Sequence, residues 1–599
     1  LREFSLPALY EVPADGNLTD LIRRNAAHHP DLPVIGRKNG AGGWDDITAA
    51  GFLAEVGAAA RGLIASGVQP GDRVALMSRT RYEWTLLDFA IWSAGAVTVP
   101  VYETSSASQV EWMLGDSGAV AVVVESEGHE RTVESVRVRL PQLKHVWRID
   151  TGAVDVLRAA GTDISDAVLD ERSASAGADS PATIVYTSGT TGRPKGCVLS
   201  HRAFFAECGN AVERLGPLFT TGDNSVLLFL PLAHVFGRLV EVAAVMAPIR
   251  LGHVPDVQNL TDDLQSFRPT MILGVPRVFE KVYNAARATA QAGGKGRIFD
   301  RATAVAIAYS KALDTGSGPS ARLRLEHRLF DRLVYGKLRA VLGGRATHAI
   351  SGGAALGERL GHFYRGIGFT VLEGYGLTES CAAASFNPWD RTKIGTVGQP
   401  LPGSTVRIAD DGEVLLYGEH LFSGYWNNEA ATLEAKSHGW FHTGDLGALD
   451  EDGYLTITGR KKEIIVTAGG KNVAPALIED RIRAEHLIAE CMVVGDGRPF
   501  VAALITLDEE FLPRWAEQHG KAGRTVADLA TDADLLAAVQ AAVDLGNASV
   551  SRAESVRAFR ILPVQFTEQS GHLTPSLKLK RNVVAADFAA DIERLYAAR

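Results

Sequence analysis

The sequence has no pair of cysteines at metal-ligand or redox spacing. Cys197, Cys208, Cys381 and Cys491 are its only four, they stand far apart, and none forms a CxxC. Scattered thiols of this kind predict free, buried cysteines in a reducing compartment, not a disulfide framework. No HExxH or paired-histidine spacing occurs, so no structural zinc site is expected. A Walker A loop and an HRD/DFG-type set are both missing, which excludes a P-loop NTPase and a protein kinase. No Ser-His-Asp or Cys-His grouping can be read from spacing. Long apolar runs are also lacking. Val226 to Leu251 carries His234, Arg238 and Glu241 and is broken by Pro231 and Pro248. Phe89 to Val101 falls short of the ~20 residues that a bilayer-crossing helix needs. The first residues are charged and interrupted by Pro7 and Pro13, without the apolar core of a signal peptide. Positive charge is not in excess: the formal net charge is −9, which argues against nucleic acid as a partner. A soluble cytoplasmic protein is expected.

At 599 residues and 46% hydrophobic, the chain is longer than one core usually serves, so two or more domains are expected. Up to about Ser180 helical and strand-like pieces alternate. Asp46 to Ser66 has helical apolar spacing, GVQPGDRVALMS reads as turn plus buried strand, WTLLDFAIWSAGAVTVPV as helix into strand, and AVAVVVES as strand. Such alternation predicts an α/β layered core with parallel sheets and a site at the strand ends. From Gly395 short strands and a DDG turn predict a β-rich subdomain, about 395–459. After Arg460 the α/β texture returns, with a hairpin-like CMVVGDGRPFVAALITL. The charged, turn-rich GRKKE suits a hinge, or else a surface hairpin. The predicted division is 1–459 and 460–599. No internal repeat is present.

The segment YTSGTTGRPKGCVLSH, Tyr186 to His201, carries the most chemistry. Thr187, Ser188, Gly189, Thr190, Thr191 and Gly192 offer hydroxyls and unobstructed backbone N–H groups in one loop after an apolar strand. That is a cradle for phosphate oxygens, and Lys195 adds positive charge. A flexible Gly/Thr turn is the plainer reading and explains the order of residues poorly.

This segment resembles the signature loop of the adenylate-forming superfamily, which includes acyl-CoA synthetases, adenylation domains and luciferases. PLAHVFGR (231–238), SGGAAL (351–356), EGYGLTES (373–380), WFHTGDLG (440–447), GRKKEIIVTAGGKNVAP (459–475) and SLKLKR (576–581) follow in the family's order over most of the chain. The resemblance implies a large N-terminal domain of α/β subdomains with a β-rich subdomain, and a smaller mobile α+β C-terminal domain. It implies an acid–thiol ligase that uses ATP, coenzyme A and Mg2+. In such a reaction a carboxylate attacks a phosphate, so catalysis consists of charge neutralisation and positioning.

The resemblance also assigns residues. Gly374, Tyr375, Gly376 and Thr378 line the nucleotide, Tyr375 as the adenine platform, and Glu379 supplies a carboxylate for Mg2+. Gly353 and Ala354 let backbone approach the nucleotide, and Gly352 the acyl group. Asp445 accepts from the ribose hydroxyls, and Arg460 contacts ribose or phosphates. Lys578 matches the catalytic C-terminal lysine, with Thr190 and Glu379 the other catalytic residues and Lys580 the nearby rival. Many relatives have Ser-Gly before this lysine, where this chain has Ser576 and Leu577. His234 and Phe236 flank the acyl pocket, His234 in a positional role. Gly469, Gly470, Lys471 and Asn472 resemble the loop lining the pantetheine tunnel, and Lys462 aligns with the pivot about which the C-terminal domain rotates.

GVPRVFEKVY (274–283) resembles the corresponding stretch of long-chain fatty acyl-CoA synthetases and precedes a helical segment, 284–344, of the kind they carry. Within it Leu325, Leu329, Leu333 and Leu338 fall near one helical face among Arg322, Arg324, Arg328, Arg332, Lys337 and Arg339. Two readings stand: a basic amphipathic face that lies weakly on anionic lipid at the inner membrane face, or a core-facing leucine stripe with a solvated basic side. The expected function is a long-chain fatty-acid–CoA ligase. The alternatives are a fatty acyl-AMP ligase serving a carrier protein, and a catalytically silent nucleotide-binding protein. Acyl length and oligomeric state are left open.

Overall fold

The computed structural model describes residues 1–187 and 193–597. The predicted call-and-response of strand and helix is present. Ala49–Ala65, Tyr82–Ser93 and Ala107–Ser117 are helices, and Arg73–Met77, Val97–Val101 and Ala121–Val124 are strands between and after them. These strands join a seven-stranded sheet in the order Gly424–Tyr425, Lys195–Ser200, Pro181–Thr187, Val97–Val101, Arg73–Met77, Ala121–Val124, His145–Arg148. The last five run parallel, and their near-continuous Val/Ala/Ile text reflects burial on both faces.

A nine-stranded sheet positions the site. Its six central strands are parallel: Thr370–Tyr375, His348–Ser351, Met271–Gly274, Ser225–Leu228, Arg250–His253 and Pro33–Lys38. Helix Tyr82–Ser93 is apolar nearly all round and buried nearly all round, as such a helix must be. Its one buried acid, Asp88, accepts from Arg238 at 2.9 Å and from Thr98 Oγ1 at 2.7 Å. Trp84, Trp92 and Phe204 lie against the Arg238 guanidinium, so burial is matched by a carboxylate and three ring faces. This pair fixes helix Val235–Met246, at whose start His234 stands. Burial, then Asp88, pushes the neighbouring Glu241 carboxyl well above its usual range.

From residue 395 the expected β texture is seen. Thr405–Ile408, Glu413–Tyr417, Trp440–Leu449 and Leu455–Arg460 are antiparallel strands of a third sheet, whose far edge is Glu3–Ser5. After a turn at Lys461–Glu463 the smaller C-terminal domain begins, with a two-stranded ladder, Ile465–Val466 with Asn472–Val473. The predicted hairpin is Ile488–Val494 with Val501–Leu507, and Val556–Ile561 adds a parallel strand. Among the described residues no buried apolar cluster combines a side chain before Leu455 with one after Ile465. The chain thus has a large N-terminal and a smaller C-terminal unit, each with its own core.

The segment after Tyr283 is helical, as Gly296–Leu313, Ala321–Phe330 and Gly336–Val341 with a π-turn between the last two. Here the core-facing leucine reading fails in part. Leu338 is buried, but Leu325, Leu329 and Leu333 are 70%, 55% and 51% exposed. All four cysteines are buried and free. No helix among the described residues is long and apolar enough to cross a membrane.

Candidate active site

The carboxyl ends of the parallel strands Met271–Gly274, His348–Ser351 and Thr370–Tyr375 lie side by side at the end of the sheet where α/β folds place their ligand cleft. Gly352 N–H donates to Gly274 O at 3.3 Å, stitching the SGGAAL turn to the neighbouring strand. A Cβ at Gly352 would lie 3.5 Å from the Phe236 ring, so the two residues expected at the acyl end are neighbours. Gly353 and Ala354 are exposed. Below them Glu373 is buried and accepts from Leu356 N–H at 2.8 Å, and burial lifts its carboxyl from 4.5 to about 7.

The strand continues into Gly374 and Tyr375, which pair with Phe386 and Ser385. Tyr375 donates to Asp445 Oδ2 at 2.6 Å, and Arg460 Nε lies 3.3 Å from Asp445 Oδ1. Asp445 and Arg460 are cross-strand partners in the third sheet, so the pair is fixed by backbone register. Asp445 is buried, and burial raises its carboxyl although Arg460 and Tyr375 pull the other way. At Gly376 an added Cβ would meet Ala382 O at 1.4 Å, so only glycine fits this turn. The same turn is closed by Cys381 and Ala382 at φ +56° and +97°, sparsely populated conformations directly behind Thr378 and Glu379.

Glu379 Oε1 accepts from Tyr425 O–H at 2.7 Å, and Lys195 Nζ lies 4.6 Å from the centre of the Tyr425 ring. Tyr425 therefore bridges Lys195, at the exit of the signature loop, to the candidate metal carboxylate. Thr187 ends the strand before that loop and pairs with Lys195. Ser188, Gly189, Thr190, Thr191 and Gly192 lie outside the described residues.

His234 caps helix Val235–Met246: its Nδ1 accepts from Phe236 N–H at 3.2 Å, which places the ring proton on Nε2. Burial, then Lys578, lowers its pKa to about 4, so the ring is neutral near pH 7. Lys578 comes to the cleft from the C-terminal domain. Its backbone is held by Thr574, with N–H to Thr574 Oγ1 at 3.0 Å and O from Thr574 N–H at 2.8 Å. Lys578 is exposed to solvent, yet protein crowds its side chain on most sides. That crowding, and next Arg460, lower its pKa, while Asp445, Glu379 and Glu463 oppose the shift. Lys580 instead starts helix Arg581–Asp587. Leu577 sits at φ +61°, the left-handed region that glycine favours.

The structure does not bring Gly469, Gly470, Lys471 and Asn472 to this cleft. They form an exposed turn, tied by Thr467 N–H to Lys471 O at 3.0 Å and by Ala468 N–H to Arg498 O at 2.8 Å, both within the C-terminal domain. Lys462 is exposed in the turn between the domains. Of GVPRVFEKVY, Gly274 and Val275 reach the acyl end, beside Gly352 and Gly353, and the rest turns away from it. Phe279 and Tyr283 pack into a second apolar cluster, and Arg277, Glu280 and Lys281 face the C-terminal domain. Tyr425 and Glu373 were not singled out by sequence reasoning. Tyr425 is 46 positions from Glu379 with no spacing signal; Glu373 was within EGYGLTES and could have been found there.

A model of the AMP-binding enzyme family matches residues 22–426, and one of the AMP-binding enzyme C-terminal domain matches 462–599. The chain belongs to the AMP-binding enzyme family. It is 52% identical over 600 residues to the long-chain-fatty-acid–CoA ligase FadD15 of Mycobacterium bovis, covering 100% of both chains. Its identity to the long-chain-fatty-acid–CoA ligase ACSBG2 of Xenopus laevis is 29%, over 96% of this chain and 83% of that one. Among solved structures it shares its fold with the anthranilate CoA ligase AuaEII bound to anthranoyl-AMP, at TM-score 0.72, 20% identity and coverage of 97% and 99%. The fatty acyl CoA synthetase of Mycobacterium tuberculosis matches at TM-score 0.62 and 23% identity, over 96% and 99%.

Proposed function

We propose that this chain is an ATP-dependent long-chain fatty-acid–CoA ligase working in two half-reactions. The observation that carries the reading is the meeting of Lys578, from the C-terminal domain, with Asp445, Arg460 and Glu379 of the large domain. Two anions must approach, and the lysine supplies charge where it develops. An oxygen of the fatty carboxylate attacks the α-phosphorus of ATP, a C–O–P linkage forms, and pyrophosphate leaves with the electron pair of the broken P–O bond. Tyr375 carries the adenine, Asp445 accepts from the ribose, Arg460 contacts ribose or phosphate, and Lys195 with residues 187–192 cradles the phosphates. His234, neutral with its proton on Nε2, positions the acyl end beside Phe236 and Gly352 and is not a base.

Glu379 fits Mg2+: it is a hard oxygen ligand, half-buried at the phosphate end and oriented by Tyr425. Mg2+ takes one or two carboxylates and completes its shell with phosphate and water. When bound, the ion offsets phosphate charge.

In the second half-reaction the CoA thiol gives up its proton to water, its sulfur attacks the acyl carbon, and AMP leaves with the electron pair of the broken acyl C–O bond. The division at 459/460, with Lys462 as pivot, lets the C-terminal domain withdraw Lys578 and bring Gly469, Gly470, Lys471 and Asn472 to the cleft. Full-length similarity to a ligase named for long-chain fatty acids supports that substrate class.

Weak contact with a membrane surface is a further part of the proposal. Leu325, Leu329 and Leu333 form an uncovered stripe among the exposed Arg322, Arg328 and Arg332, which suits anionic lipid. The test is AMP formation across acids from acetate to long-chain and aryl, with and without CoA. Rising kcat/KM with chain length and CoA-dependent thioester are expected. Best activity on acetate or an aryl acid, or acyl-AMP that CoA cannot discharge, contradicts the reading.

A further inference from the structure

The helix Pro276–Ala292 has two faces with different tasks. Phe279 and Tyr283 anchor it: Tyr364 O–H donates to Phe279 O at 2.5 Å, and the Tyr283 ring lies 4.8 Å from Phe363 and 5.6 Å from Phe299. Helical spacing puts Arg277, Glu280, Lys281 and Arg287 on an adjoining stripe, and that stripe meets the C-terminal domain. Arg277 Nη2 lies 3.1 Å from Asp508 Oδ2, and its Nη1 donates to Ala489 O at 3.5 Å. Lys281 Nζ is 3.8 Å from Glu510, and Arg287, held by Asp300 at 3.0 Å, reaches His486 Nε2 at 3.2 Å. Glu280 enters the C-terminal domain among Arg483, Asp480 and Glu490. Among the described residues, the two ion pairs that join a residue before Arg460 to one after Glu463 both start on this helix.

We propose that this stripe is a latch that holds the C-terminal domain in the orientation delivering Lys578, with Arg277 and Lys281 as positioning residues for adenylate formation. The proposal rests on the reading of Lys578 given above. The helix is the right carrier, because it leaves strand Met271–Gly274 at the residue whose carbonyl holds Gly352. Its orientation is therefore rigidly related to the cleft. The charge is complementary: Arg277 faces Asp508 and Lys281 faces Glu510. The pairs are half-exposed and individually weak, so they bias a domain equilibrium without locking it. Apolar packing of the same area would oppose the departure that the second half-reaction requires.

Asp508 also caps its own turn through Glu510 and Phe511 N–H, so the reciprocal change belongs at Glu510, which is exposed. The experiment measures ATP–pyrophosphate exchange and, separately, thioester formation from supplied acyl-AMP and CoA. Arg277→Glu is expected to lower exchange about 10-fold and Lys281→Glu about 3-fold, with thioester formation unchanged or faster. Lys281→Glu combined with Glu510→Lys returns exchange to within about 2-fold of wild type. Added salt lowers wild-type exchange and leaves Arg277→Glu nearly unaffected. Unchanged exchange in both single variants, equal loss of both half-reactions, or no rescue by the reciprocal pair overturns the latch alone. Absence of exchange in the wild-type chain removes the underlying reading, and the latch with it.

Discussion

The phenol of Tyr375 is bound to Asp445 Oδ2 at 2.6 Å while Arg460 holds the other carboxylate oxygen at 3.3 Å. Asp445 is thus oriented from both sides in a buried setting before any ribose arrives. Removing the phenol oxygen leaves the ring to stack but frees the carboxylate. Tyr375→Phe should raise KM for ATP roughly 5-fold, the equivalent of about 1 kcal/mol for one hydrogen bond, with a smaller change in kcat. Initial-rate kinetics decide it; an unchanged KM would mean that Arg460 orients Asp445 alone.

Glu373 predicts a pH dependence of stability. Burial lifts its pKa in the fold from 4.5 to about 7, so between those values the folded chain holds more protons than the unfolded one. Its contribution is fully present below about 4.5 and is lost as pH rises through about 7. Glu373→Gln keeps an acceptor for Leu356 N–H without the charge. The variant should gain on wild type by roughly 1–3 kcal/mol between pH 5.5 and 8. Thermal melts at the two pH values test this, and an equal Tm difference at both contradicts it.

Leu577 at φ +61° stores strain that Gly relieves, although Gly also loses more freedom on folding. The two effects nearly cancel, so Leu577→Gly should leave Tm within a few degrees and exchange near wild type. Leu577→Val, β-branched in the left-handed region, should lower exchange at least 5-fold by displacing Lys578. Equal exchange in the two variants would show that this backbone turn does not place the lysine.

Much of this was legible in the chain. Alternating apolar runs fixed the strands Arg73–Met77, Val97–Val101 and Ala121–Val124, because strands buried on both faces must be apolar throughout. The ordered motifs also marked Tyr375, Asp445, Arg460 and Lys578, which the fold gathers from two sheets and a C-terminal turn. Periodicity could not say what covers an apolar stripe. Leu325, Leu329 and Leu333 repeat like core residues yet stand exposed, because no element among the described residues packs over them. Nor could local sequence reveal contacts set by tertiary crossing, such as Tyr425 with Glu379 or Arg277 with Asp508.

The exposed turn at Gly469 offers a clean separation of the half-reactions. A Cβ there meets only Thr467 Oγ1, at 3.9 Å, whereas Gly470 at φ +76° would be strained by any side chain. Gly469→Leu should leave ATP–pyrophosphate exchange within 2-fold and cut thioester formation more than 10-fold, by filling the path of pantetheine. Surviving thioester yield would place CoA entry elsewhere.

Lys578 carries the account, since the cleft gathers the nucleotide side chains but draws its mobile cation from the other domain. The decisive measurement is Lys578→Ala assayed in both half-reactions on a folded protein. ATP–pyrophosphate exchange should fall by at least 10³-fold, about 4 kcal/mol of transition-state stabilisation. Thioester formation from supplied acyl-AMP should stay within about 3-fold of wild type. Retained exchange, or equal loss of both half-reactions, would contradict the assignment of this lysine to adenylate formation.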